Sequence, residues 1–77
     1  MGLSLREMEV GSKGRVKGYR EGAKPYLDKL LSMGLTIGAE FTVSRVAPLG
    51  DPVELNVRGY NISLRKNEAE ILIVERR

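Results

Sequence analysis

The stretch "AEFTVSRVAPLGDPVELNVRGYNISLR", residues 39–65, decides the fold of this chain. Apolar, β-rich runs flank "PLGDP", residues 48–52, which holds two of the three prolines. Before that loop, Phe41 and Val43 share one face of a strand, and Val46 breaks their alternation. A β-bulge near Ser44-Arg45 restores the register and coils the hairpin. After the loop, Val53, Leu55 and Val57 alternate with Glu54, Asn56 and Arg58, the pattern of a half-buried strand. "YNISLR" reads as a third strand. A two-residue turn at Gly59-Tyr60, with glycine first, predicts a type II′ hairpin. That register sets Val57 against Ile62, Leu55 against Leu64 and Glu54 against Arg65, like with like and charge with opposite charge.

Outward from this core the pattern changes. "VGSKGRVKGYREG" opens with turn residues, gives a strand over about residues 14–19, and closes at Gly22. "AKPYLDKLLSMGL" is the one good helix. Pro25 suits a first turn, where its missing N–H costs nothing. Tyr26, Leu27, Leu30 and Leu31 recur at spacings of three and four and so share a face. Gly34 supplies the left-handed residue after the last turn. "KNEAE" is one helical turn, and "ILIV" is a closing strand, apolar on both sides and well covered. The chain therefore reads as mainly β: a small SH3-like barrel of about five antiparallel strands. One short helix follows the first strand and one helical turn precedes the last.

Seventy-seven residues are expected to form a single domain, residues 1–77, that buries only about 60% of its unfolded surface. With 13 Lys and Arg against 10 Asp and Glu, the net charge of +3 is spread along the chain rather than clustered. Nucleic-acid binders gather their cations on one face, so no nucleic-acid partner is expected. No apolar run reaches the roughly 18 residues a membrane span needs, and the start lacks a signal-peptide core. A cytoplasmic protein is expected.

There is no Cys and no His. That removes thiolate and imidazole catalysis and nitrogen or sulfur metal ligands. A phosphate loop of the Gly-x-x-x-x-Gly-Lys type is absent too; "GSKG" is a turn. Asp51 with Glu54, or Glu68 with Glu70, could hold a hard cation weakly, but solvated carboxylates are the simpler reading. No catalytic, cofactor or metal site is expected, which leaves a binding module. Its candidate surface is the 48–52 loop, more apolar than a solvated turn requires. Val46, Pro48, Leu49 and Pro52 would anchor, and Arg45, Arg58 and Arg65 would surround them.

The combined motifs resemble the FeoA family, ferrous iron transport protein A. They are Leu30, Met33-Gly34-Leu35 and Gly38, the unbroken Ala47 to Pro52, Arg58-Gly59-Tyr60, Ser63 to Lys66, and Glu68-Ala69. "GSKGRVKGY" is similar to the family's first strand. The resemblance spans nearly the whole chain, and its specificity lies in the spacing rather than in any one piece. It implies a cytosolic SH3-like accessory of bacterial or archaeal ferrous iron uptake, partnered with the FeoB permease and its cytosolic GTPase domain. Similar domains close iron-dependent repressors, but no DNA-binding segment is read ahead of this one.

The expected partner-binding set is thus Arg45, Val46, Pro48, Leu49, Gly50, Asp51, Pro52, Arg58, Tyr60 and Arg65. Two other readings compete. One is a nucleic-acid-binding barrel, or a regulatory domain related to those repressors. The other is stimulation of a GTPase by a supplied arginine from Arg45, Arg58 or Arg65. The last strand and the Leu-rich helix could each support a homodimer.

Overall fold

The computed structural model describes residues 3–77. Its elements in order are β1 (Leu3–Ser4), a 3-10 turn (Leu5–Glu7), β2 (Lys13–Tyr19), α1 (Lys24–Ser32), β3 (Glu40–Val46), β4 (Val53–Val57), β5 (Tyr60–Leu64), α2 (Lys66–Ile71) and β6 (Leu72–Arg76). All strands join one antiparallel sheet in the order β1-β6-β2-β3-β4-β5. The five expected strands and both helices are present. The two-residue β1 and the turn after it were not expected. Leu5 and Met8 from this segment enter the core.

The bulge near Ser44 is real: the β3–β4 register shifts between Val43 and Arg45. A second shift falls between Val16 and Gly18, where β2 meets β6. Each extra residue raises the local twist, and together they coil the sheet round one core. The resulting body measures 27 × 26 × 24 Å, too nearly equal in all directions for a flat sheet.

The β4–β5 hairpin departs from its expected register. Val57 pairs with Tyr60, Leu55 with Ile62 and Val53 with Leu64, and Glu54 faces Ser63 rather than Arg65. The turn is Arg58-Gly59, both with positive φ (54° and 85°), which is type I′ and not type II′. Asn56 explains the choice. Its side-chain oxygen accepts the Gly59 N–H at 3.2 Å, and its amide reaches Asn61 at 3.1 Å. The slip is two residues, so every side chain keeps its expected face.

Helix α1 ends as the glycine signal requires. Gly34 has φ +87°, its N–H donates to Leu31 O, and the Leu35 N–H donates to Leu30 O, both at 3.0 Å. Those are the two bonds of a Schellman cap, and Leu30 and Leu35 are both fully buried beside it. Leu31, expected on the inner face, is 42% exposed. Leu30 alone of the helical stripe is fully buried, since a short helix over a small barrel presents only a narrow seam. Burying Leu30, Leu35, Leu55, Leu64 and Leu72 completely contributes about 1.5–3 kcal/mol each before chain entropy is subtracted. On β6, Leu72 and Val74 are buried while Ile73 is half-buried, as is Ile71 at the end of α2, so the closing strand is less completely covered than expected and starts one residue later.

Candidate partner-docking surface

The 47–52 loop is held by its own backbone and by one bond to α2. Its own backbone closes it, with Ala47 N–H donating to Pro52 O at 3.1 Å and Gly50 N–H to Ala47 O at 2.7 Å. The Asp51-Pro52 peptide bond is cis. Asp51 Oδ1 accepts the backbone N–H of Lys66 at 3.1 Å, one of the donors that the first turn of a helix leaves free. Gly50 lies over the Arg6 guanidinium: a Cβ added there would stand 3.5 Å from it. Arg6 in turn pairs with Glu70 on α2 at 3.1 Å.

A loop fixed this way presents one large apolar side chain to water. Leu49 is 91% exposed, the most exposed of the large hydrophobic residues. Pro48 beside it is exposed, whereas Val46 and Pro52 are half-buried, with Val46 packed on the core. The anchor group of four thus divides into two outward and two inward residues. Nothing in the fold requires Leu49 to be apolar.

The remaining candidates do not form one patch. Arg45 and Glu54 are cross-strand neighbours paired at 3.8 Å. Arg65 stands at the loop end of β5, next to the amide that Asp51 binds. Arg58 and Tyr60 lie at the far end of β4, four residue steps or about 13 Å away along an extended strand. Arg58 joins Lys13, Glu40 and Arg77 round a shallow cleft of about 280 Å³ there. The three arginines therefore do not converge on one point.

Every carboxylate considered for a cation already has a partner. Asp51 holds an amide and Glu54 an arginine, as described. Glu70 pairs with Arg6, and Glu68 is only 5% exposed rather than solvated. Glu68 joins the two helices: it accepts the Arg65 N–H at 2.9 Å and meets the Lys29 ammonium of α1 at 2.5 Å. Burial works against its charge, but the Lys29 and Arg65 contacts outweigh that and hold the carboxyl below its ordinary range. The expected solvated surface carboxylate is thus a buried link between helices, and its signal in the sequence is the glutamate three residues after Arg65, the spacing of a capping box. Among the described residues no three carboxylates lie together in a metal-holding cluster.

A model of the FeoA domain matches residues 3–76. The chain belongs to the FeoA family. It is 34% identical over 73 residues to a Fe(2+) transport protein A/Fe(2+) transporter FeoB fusion protein of Porphyromonas gingivalis. That match covers 95% of this chain and 8% of the fusion protein. The FeoA-like protein of Clostridium acetobutylicum, solved by NMR, is 41% identical at a TM-score of 0.85, over 97% of this chain and 86% of that one. A manganese-dependent transcriptional repressor superposes at a TM-score of 0.89 with 16% identity, over 99% of this chain and 37% of the repressor. At that identity the likeness is one of fold alone. No described helix of this FeoA-family chain is long and apolar enough to cross a membrane.

Proposed function

We propose that this chain is a non-catalytic accessory of ferrous iron uptake that docks on the cytosolic part of a FeoB-type permease through Pro48 and Leu49. The observation that carries the reading is Leu49, almost wholly exposed on a loop that Asp51 ties to the start of α2. A prearranged apolar side chain binds at little further cost in order, which is how loop anchors gain affinity. Arg45 and Arg65 flank it and set orientation more than strength. Family membership, and the relative named as a fusion of transport protein A with transporter FeoB, support the choice of partner.

The protein acts in the cytoplasm, at the membrane's inner face, by assembling or regulating its partner. Capture of the detergent-solubilised permease on immobilised wild type and on Leu49→Asp tests the reading. Wild type retains the permease and the variant does not; equal retention by both removes Leu49 from the interface.

A further inference from the structure

Strand β5 is an edge of the sheet, paired with β4 alone. In a two-residue hairpin the closing pair exchanges both of its hydrogen bonds, and the bonding sense alternates along the strand. Tyr60, Ile62 and Leu64 therefore direct their backbone groups to β4, and Asn61 and Ser63 direct theirs outward. Among the described residues neither Asn61 nor Ser63 makes a further backbone bond.

Natural sheets guard such an edge with charges, proline or a bulge. "YNISL" has none of the three. The charges stand at its two ends instead. Arg58 precedes the strand, Arg65 and Lys66 follow it, all are exposed, and none has an acidic partner within ion-pair distance among the described residues.

We infer that β5 adds an extended acidic-flanked segment of another protein as a further strand. Its free amides and carbonyls at Asn61 and Ser63 supply main-chain bonds, the mode of β-strand addition. The cations at either end select a segment of about five uncharged residues, roughly 17 Å extended, with Asp or Glu on both flanks. A second copy of this chain fits worse. Pairing Asn61 with Ser63 of a second copy also sets Arg58 opposite that copy's Lys66, and like charges directly opposed destabilise a ladder. This surface does not rest on the role given to Leu49, and its test leaves Leu49 untouched.

The test is an amide-resolved NMR titration with the heptapeptide Asp-Val-Thr-Val-Thr-Val-Glu, set against the same peptide with Lys at both ends. The expected result is shift and slowed solvent exchange at the Asn61 and Ser63 amides with the acidic peptide only. Ser63→Pro removes an outward N–H that the fold does not use, and it should weaken binding about tenfold or more. Arg58→Asn suits the positive-φ position better than arginine, so it should weaken binding in a chain at least as stable as the parent. Binding unchanged in both variants, equal binding of the lysine peptide, or no perturbation at Asn61 and Ser63 overturns the inference. So does protection of those amides without peptide in a sample that sediments as a dimer.

Discussion

Asp51 and Lys66, fifteen residues apart in sequence, meet where the Asp51 carboxylate accepts the Lys66 amide at 3.1 Å. That bond ties the apolar loop to the start of α2, although they belong to opposite sides of a hairpin. Replacing Asp51 with Ala frees the loop and leaves a helix-start donor to water. The expected cost is about 1 kcal/mol in urea unfolding. Permease capture should fall as well, since Leu49 loses its fixed position; a variant that unfolds earlier yet binds as before would separate the two.

Gly14 sits across from Phe41 in the β2–β3 ladder. A Cβ there would stand 2.7 Å from the Phe41 ring tip and 2.9 Å from the Glu75 carbonyl oxygen. The second contact is backbone and cannot swing away. Gly14→Ala should therefore cost about 2 kcal/mol or more, read as a lowered urea midpoint with an unchanged slope.

Glu68 gives stability a pH dependence. Its carboxyl titrates below the ordinary value of 4.5 in the folded chain. The contribution is therefore complete above that value and drains away as pH falls through the lower, folded one. Glu75, held down first by its hydrogen bond from Arg15 and opposed by desolvation, acts in the same sense. Glu68→Gln keeps an acceptor for the Arg65 N–H but loses the charge facing Lys29. It should cost about 1–2 kcal/mol at pH 7 and much less at pH 3. Urea titrations at the two pH values read the difference, and parallel losses at both would contradict the ion pair's role.

Arg58 holds φ +54°, a conformation that costs an L-residue about 1 kcal/mol. Arg58→Gly relieves that strain but frees the unfolded chain, so thermal or urea unfolding should show a net gain below about 1 kcal/mol. A stabilised variant with poorer partner binding would mark arginine as kept for contact rather than for folding.

Alternation in Val53, Leu55 and Val57 fixed the inner face, and a two-residue slip in the turn could not disturb it. Glycine alone does not set the turn's position: the Asn56 side chain, accepting the Gly59 N–H, supports Arg58 in a left-handed state two positions later. Leu3 and Ser4 were too few to show a period. Glu68 looked like surface because its burial depends on Lys29, which reaches it from another helix. The loop was identified by its composition alone. Arg58 and Tyr60 were grouped with it because linear proximity does not reveal which end of a strand a residue occupies.

The proposed anchor role of Leu49 rests on its exposure on a loop tied to α2. The most direct test is the dissociation constant of the purified chain for a solubilised FeoB-type permease, for wild type and for Leu49→Asp. Both proteins should unfold at the same urea concentration, because a side chain 91% exposed contributes almost nothing to the core. The variant should bind more weakly by about tenfold or more, a loss of roughly 1.4 kcal/mol. The same constant for both proteins, with both folded, would contradict it.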